Sequence, residues 1–360
     1  MVTEARRPPV PLLRSRPSST AIGGFALVGL VIVWLIFQFA GNKSDFVEIF
    51  LIGITTGAIY ALVALGYTLV YGILELINFA HGDVFMLGGM MSATVAATVF
   101  GLTSGQSGIV VWFSVLGTLV IAMLFCGVLN TSIELIAYRP LRGAPRLAPL
   151  ITAIGMSFIL QNVGLAWKGP NFIEVVDVLP NSNVFDIAGV TYKWDKLIVV
   201  IITVPVLVLL VWLVERTRQG KAMRATAQDM DAAAMMGINV NRTISFTFMI
   251  AGCLAGAAGL LYALYVTNIR YDQGFQLGLI AFTAAVLGGI GNLPGAVLGA
   301  VLIGLIQSFN EGLTAVHVLG MRIPGPPGGD WTQSIVFGIL ILIMVFRPEG
   351  LLGERTPEGG

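Results

Sequence analysis

A polar run, Ile77 to Asp83, separates two long apolar stretches of the chain and contains Asn78, His81 and Asp83. Such side chains are costly in lipid, so we expect them at a break between helices, facing protein or water. One histidine beside one aspartate is too small a set for a metal centre or a catalytic site. Two interpretations stay open: a turn in which Asn78 or Asp83 caps the next helix, or the lining of a polar solute path.

A second break, at residues 288–295, interrupts the apolar stretch 278–313 with four glycines, Asn292 and Pro294. Glycine and proline at this density are typical of a tight turn, which is the interpretation we favour. Interrupted helices also mark solute-binding regions of transporters, because unwound backbone can meet a polar solute. Asn292 is therefore kept as a candidate residue of the solute path.

The third stretch, residues 216–242, is basic and rich in alanine. Alanine favours helix, and Gly237 is a natural helix stop, so the pattern predicts a helix near 222–237. A solvated loop helix has a similar composition.

Several classes of chemistry find no support in the residues. No Gly-xxxx-Gly-Lys-Ser/Thr motif for binding ATP occurs. Cys126 and Cys253 lie in apolar stretches without metal-ligand spacing, which predicts buried thiols. The two histidines, His81 and His317, have no accompanying nucleophile–base pattern. We therefore predict that the chain is not an enzyme and that it holds neither a cofactor nor a metal itself.

The amino-acid composition indicates that much of the surface of this protein faces lipid and not water. Hydrophobic residues make up 56% of the 360 residues and charged residues only 11%, whereas a soluble domain has about 25% charged residues. A surface so poor in charge requires lipid.

A spanning helix needs about 20 apolar residues, and ten candidate segments occur: 22–40, 47–74, 79–100, 108–137, 147–167, 197–215, 243–267, 278–291, 295–313 and 332–346. The segment 278–291 is short enough to be re-entrant.

Basic residues orient these segments, because cytoplasmic loops are enriched in lysine and arginine. Simple alternation of ten spans from a cytoplasmic N-terminus places 14 of the 20 basic residues inside. They are Arg6, Arg7, Arg14, Arg16, Arg139, Arg142, Arg146, Arg216, Arg218, Lys221, Arg224, Arg242, Arg347 and Arg355. The expected fold is thus an all-α polytopic membrane protein with about 8–10 transmembrane helices and both termini in the cytoplasm. Residues 22–40 are longer than a signal-peptide core and lack a clear cleavage pattern, which favours a retained helix.

Several motifs together resemble the permease of branched-chain amino-acid importers of the LivH type. They are Gly57–Leu62, Gly66–Gly72, Ile77–Gly82, Ala137–Arg142, Gly155–Ser157 and Ala284–Gly291. The resemblance covers about residues 46–350 in the same order. The chain departs from the pattern in its first 45 residues and in a longer loop before Trp331. The expected organisation is a cytoplasmic tail at 1–20, an extra helix at 21–45, the permease domain at 46–350 and a second tail at 351–360.

The loop at 216–242 adds to this resemblance. Asp231-Ala232-Ala233, followed by Gly237, fits the Glu-Ala-Ala-xxx-Gly pattern of importer permeases, with aspartate in place of glutamate. In that family the short helix docks on an ATPase, which implies that Arg224 and these four residues contact it. The downstream Ile-x-Leu-Pro of the pattern is not recognisable here.

The resemblance implies a set of partners in the inner membrane. They are a related second permease in a heterodimer, two cytoplasmic ATPases that bind ATP and magnesium, and an external solute-binding protein. A related permease for urea and short amides is the nearest alternative. An ion-coupled carrier would need acidic residues at mid-membrane depth, whereas Glu75, Glu134 and Glu311 lie near predicted segment ends.

Overall fold

The computed structural model describes residues 19–106, 108–145, 147–180, 182–187, 189–318, 321–347 and 349–353. The predicted tails, 1–20 and 351–360, therefore fall almost entirely outside the described residues. The helices are α1 Ser19–Gly41, α2 Lys43–Leu74, α3 Ala80–Thr98, α4 Ile109–Ile133, α5 Leu147–Lys168, α6 Trp194–Arg216, α7 Arg218–Gln228, α8 Met230–Met235, α9 Val240–Val266, α10 Gln273–Gly288, α11 Leu293–Gly312 and α12 Thr332–Phe346. A π-helical turn, Glu134–Tyr138, and a 3₁₀ turn, Arg139–Leu141, extend α4.

Short antiparallel strand pairs lie only in the connections between the described helices. The strands are β1 Ile173–Glu174, β2 Asn183–Ile187, β3 Val190–Lys193, β4 Asn268–Ile269, β5 Val316–Val318 and β6 Met321–Ile323. They pair as β1 with β4, β2 with β3 and β5 with β6. The expected all-α polytopic architecture is confirmed.

Each of the ten predicted segments coincides with a helix. Among the described residues, seven helices are long and apolar enough to cross a membrane: α2, α4 with its extension, α5, α6, α9, α11, and α12 with the preceding 3₁₀ turn. The stretch Gly29–Gly41 of α1 and the whole of α10 are shorter apolar helices, and α3 is less apolar because it contains His81 and Asp83. The prediction for 278–291 began too late, since α10 starts at Gln273.

The core of the bundle is formed by α2 and α9, with α3 packed between α9 and α10. About three quarters of the apolar stretches of α2 (72%) and α9 (78%) are buried, against 22% for α5 and 28% for α6. Glycines allow this close packing: a β carbon on Gly57 would lie 2.7 Å from the Cα of Val301 in α11. Small residues at helix contacts are how membrane helices approach each other without a hydrophobic driving force.

Hydrogen bonds join several of the segments that connect the helices or end them. The joined segments fall into two sets. In one set, Gly105 donates its N–H to Asp177 O at 3.2 Å, and β1 pairs with β4. In the other set, Tyr138 donates to Asn78 and Leu351 N–H donates to Leu287 O at 2.8 Å. Each set joins loops that ten alternating spans place on the same side of the membrane.

Candidate transport and coupling sites

The first turn of α3, together with the residues just before it, contains three of the predicted polar residues, and all three are buried. Asn78 and Asp83 are at most 2% exposed and His81 is fully buried. Asn78 Oδ1 accepts the Tyr138 hydroxyl at 2.7 Å, and Asp83 Oδ2 accepts the Ser157 hydroxyl of α5 at 2.5 Å. These residues therefore do more than close a turn, because their side chains link α3 to α4 and α5.

Part of the hydrogen-bonding capacity of this group stays unused among the described residues. Asn78 Nδ2 has no hydrogen-bond partner there, while the His81 ring lies beside the Val63 backbone and Asp83 beside the Gln161 amide. The His81 ring packs edge-on against Tyr67 of α2, with ring centroids 4.9 Å apart. Buried polar atoms without partners are uncommon and costly, so this turn is a polar and incompletely satisfied region within the bundle.

The Asp83 carboxyl group lies at mid-depth of the bundle. Its partner Ser157 is about 15 Å along α5 from either end of that helix. Gln161 extends the contact by donating from Nε2 to Ser157 Oγ at 3.2 Å. Asp83 is therefore a buried acidic residue that contacts the middle of α5, and the positions of the three glutamates alone do not reveal it.

Asn292 lies apart from that group, at the break between α10 and α11. Its Oδ1 accepts the N–H of Gly295 at 2.8 Å and caps α11, while its Nδ2 donates to Leu352 O at 2.8 Å. The break itself is the tight turn that the glycines and the proline predict, with positive φ at Gly289 and Gly291. Asn292 also lines a cleft of about 490 Å³ that is bordered by Arg224 and Gly72.

The segment between α6 and α9 differs from the single helix predicted at 222–237. It forms two helices, α7 and α8, separated at Asp229. Asp229 has extended backbone, with φ −159° and ψ 113°, and its carboxylate accepts the N–H groups of Asp231 and Ala232 at 2.9 Å. An aspartate side chain that caps a new helix competes with continuation of the old one, which is why the helix is broken there.

The end of α8 agrees with the predicted stop at Gly237. Gly237 has φ +84° and donates its N–H to Ala234 O at 3.0 Å, while Ile238 N–H donates to Ala233 O at 3.0 Å. This pair of bonds is a Schellman motif, in which glycine is favoured because of its positive φ. The end of the segment is therefore well defined by its own backbone.

The surface of this segment, which we call the coupling segment (Arg218–Gly237), exposes apolar side chains. Met235 and Met236 are 82% and 83% exposed, whereas Ala233 is buried. Asp231 is exposed as well. Arg224 is exposed too, and it donates to the carbonyls of Val214 and Glu215 at the end of α6. Two highly exposed methionines beside a helix end are typical of an adaptable protein-binding surface.

In the described parts of the chain, no group of three or more histidine, cysteine, aspartate or glutamate residues is placed to hold a metal ion. Sequence reasoning missed Ser157, Gln161 and Tyr138 as partners of the α3 turn. Two of them lie in motifs noted above, Ala137–Arg142 and Gly155–Ser157, but the motifs alone do not say what their residues contact.

Comparison with known proteins gives a consistent result. A family profile described as the permease component of branched-chain amino acid transport systems matches residues 49–345. The high-affinity branched-chain amino acid transport system permease protein BraD of Pseudomonas aeruginosa is 38% identical over 85% of this chain and 95% of BraD. The corresponding protein LivH of Escherichia coli K12 is 35% identical over the same shares. A probable LivH of Methanocaldococcus jannaschii is 26% identical over 81% of this chain and 88% of that protein.

Proposed function

Because this chain belongs to the family of permease components of branched-chain amino acid transport systems, we propose that it is the membrane-spanning permease subunit of an ATP-driven importer. Its solutes are branched-chain amino acids, and its location is the inner membrane. The observation that carries the proposal is the family match across nearly the whole bundle, from α2 to α12. The urea and short-amide alternative finds no comparable support among these relatives.

The coupling segment is the surface through which ATP hydrolysis acts. No ATP-binding motif occurs in the chain, so two separate ATPase subunits supply the energy. Met235, Met236 and Asp231 are exposed at the end of α8, where a partner can cover them. Arg224 also fixes α7 to the end of α6 and so holds the segment to the bundle, and its exposed side chain leaves the proposed contact with the ATPase open.

The solute path runs beside the outward face of α5, where a related second permease packs. Phe158, Ile159 and Val163 are each more than half exposed, and exposed Asn162 donates to the carbonyl of Phe158 within its own helix, at 2.8 Å. An exposed amide within a membrane span is costly in lipid. Between residues 197 and 213, in contrast, the exposed side chains of α6 are all apolar and suit lipid.

The polar turn of α3 is connected to this face through Asp83, Ser157 and Gln161. Gln161 is half-buried on α5 beside Asn162. The turn can therefore sense or contact a polar solute in the path without being exposed to lipid. An external binding protein delivers the solute, and alternating access moves it across.

Uptake measurements test this function. Cells with and without the gene are given labelled leucine and labelled urea, before and after depletion of ATP. We expect deletion to abolish ATP-dependent leucine uptake and to leave urea uptake unchanged. Loss of urea uptake alone would move the assignment to the amide permeases, and gene-dependent uptake that survives ATP depletion would contradict the importer.

A further inference from the structure

Glu134 is a fully buried carboxylate at the point where α4 changes from α-helix to π-helix. Both of its oxygens have partners. Oε1 lies 3.2 Å from Nε of Arg139 and is also bonded by Arg142, while Oε2 accepts from Arg139 Nη2 at 3.3 Å. A buried carboxylate is stable only with such pairing. Burial lowers the pKa of Arg142, and the negative charge of Glu134 offsets only part of that effect.

This ionic group joins α4 to the first turns of α9. Ser245 Oγ donates to Glu134 Oε2 at 2.7 Å, and Arg142 Nη1 donates to Asn241 Oδ1 at 2.5 Å. Several charge-assisted hydrogen bonds thus converge on one carboxylate from two helices. The start of α9 and the end of α4 are fixed to each other at this junction.

The junction lies next to the coupling segment in the chain. Only residues 236–239 separate the end of α8 from the start of α9. That connection is itself ordered by the Schellman bonds at Gly237 and by Asn239, whose side chain caps α9 through the N–H of Arg242 at 3.0 Å. A displacement of α8 therefore reaches the first turn of α9 without a flexible linker between them.

On its other side, the junction reaches the buried polar turn of α3. Tyr138, the last residue of the π-helical turn, is 1% exposed and donates its hydroxyl to Asn78. Asn78 O in turn accepts the N–H of His81 at 3.0 Å. A continuous chain of contacts thus runs from α8, through α9, Glu134 and Tyr138, to the turn that contains Asp83.

We propose that Glu134 is a positioning residue of the transport cycle: it makes the coupling segment and the first turn of α3 move as one body. The proposal rests on the function proposed above. A π-helical turn within an α-helix is often found at functional sites, and here it directs Glu134 and Tyr138 toward different neighbours. Motion imposed by the ATPases then arrives at mid-membrane depth instead of being absorbed at the cytoplasmic surface.

The test uses the complete importer, purified with its partners and reconstituted in vesicles, and measures leucine transported per ATP hydrolysed. For Glu134→Gln we expect this ratio to fall about tenfold while ATP hydrolysis continues, since residues on a coupling route change coupling by this order. Tyr138→Phe removes only the hydroxyl that contacts Asn78, and we expect a fall of about threefold.

Asn130→Leu is the matched control. Asn130 is buried one turn earlier in α4 and donates to Phe248 O of α9 at 2.7 Å, so it joins the same two helices outside the ionic group. For this variant we expect the leucine transported per ATP hydrolysed to stay within about twofold of the value for the unaltered protein. Equal losses in Asn130→Leu and Glu134→Gln would overturn the proposal, as would an unchanged ratio in Tyr138→Phe.

If Glu134→Gln does not assemble, Tyr138→Phe decides alone, because it keeps the ionic group intact. The unaltered complex separates this test from the function itself. An unaltered complex without ATP-dependent leucine transport would contradict the importer. A coupled unaltered complex with fully coupled variants would contradict only the role of Glu134.

Discussion

At the scale of single residues, Gly82 determines how closely α3 and α10 approach. A β carbon there would lie 2.7 Å from the Cα of Gly278 and still closer to the carbonyl oxygen of Gly274. Backbone on both sides leaves no flexible side chain to move away. The position of Asp83, its neighbour, therefore depends on the absence of a side chain at residue 82.

We predict that Gly82→Ala destabilises the folded protein by about 1–3 kcal/mol, because the added methyl group overpacks the contact with α10. Thermal unfolding of the purified protein in detergent measures this. Gly338→Ala in α12 is the control, since no atom lies within 4 Å of its β carbon position. We expect the control to be neutral or slightly stabilising, and an equal loss in both variants would contradict the explanation.

Asn292 gives a second prediction at this scale. Replacement by alanine removes both the cap of α11 and the bond to Leu352 O, and we expect a loss of about 1–2 kcal/mol. Asn292→Asp keeps the capping oxygen and loses only the bond to Leu352. Its free energy of unfolding should therefore lie between that of the unaltered protein and that of Asn292→Ala. An Asp variant as unstable as the Ala variant would show that the cap contributes nothing.

The residue types at these positions were predictable from the sequence, but their partners were not. A polar run between apolar stretches indicated that Asn78, His81 and Asp83 avoid lipid. Ser157, however, is 74 residues from Asp83 in the chain, and nothing local to either residue specifies the contact. Asn292 was recognisable as part of a turn because the glycines and the proline act locally.

At the scale of elements, the coupling segment combines a firm attachment with an exposed end. Arg224 attaches α7 to the carbonyls at the end of α6, and the Schellman bonds fix the end of α8. The sequence predicted the helical content and the stop at Gly237. It did not reveal the break at Asp229, because an aspartate is compatible with both a helix surface and a cap.

We predict that Asp231→Arg and Gly237→Pro lower solute-stimulated ATP hydrolysis while the protein remains inserted in the membrane. Asp231→Arg reverses a charge on the exposed surface that the proposed function assigns to ATPase docking. Gly237→Pro removes the N–H that bonds Ala234 O and is incompatible with φ +84°. The measurement is ATP hydrolysis by the complete importer, with and without leucine and its binding protein.

The control for this surface is Asp186→Arg, which makes the same charge change at an exposed position of β2. That strand lies in the connection on the opposite side of the bundle. We expect normal coupling in the control, and full coupling in both Asp231→Arg and Gly237→Pro would contradict the docking role.

At the scale of the whole molecule, the positions of the ten apolar helices followed from hydropathy, whereas their alternation across the membrane stays a prediction from the distribution of arginine and lysine. Hydropathy and loop charge reflect whether a segment lies in lipid or in water, so both can be read from a short stretch of sequence. The arrangement of helices around α2 and α9 did not follow, because apolar side chains suit lipid and protein contacts equally.

We predict that Ser182 and Gln228 lie on opposite sides of the membrane, with Gln228 in the cytoplasm. Both positions are exposed, so single cysteines there can be labelled by a membrane-impermeant maleimide. Ser182→Cys should react in intact cells, and Gln228→Cys only after the membrane is opened. Reaction of both in intact cells would contradict the alternation, and the unaltered protein controls for the buried Cys126 and the half-buried Cys253.

The contact between α1 and the β5–β6 hairpin has a consequence for synthesis. Trp34 and Gln38 both donate to Pro324 O, at 3.1 and 3.2 Å, across 290 and 286 residues. At a ribosomal rate of about 5–20 residues per second, α1 waits about 15–60 s before its partner exists. During that interval α1 has its neighbour α2 to pack against but not the hairpin, so the contacts of one helix are completed at opposite ends of synthesis.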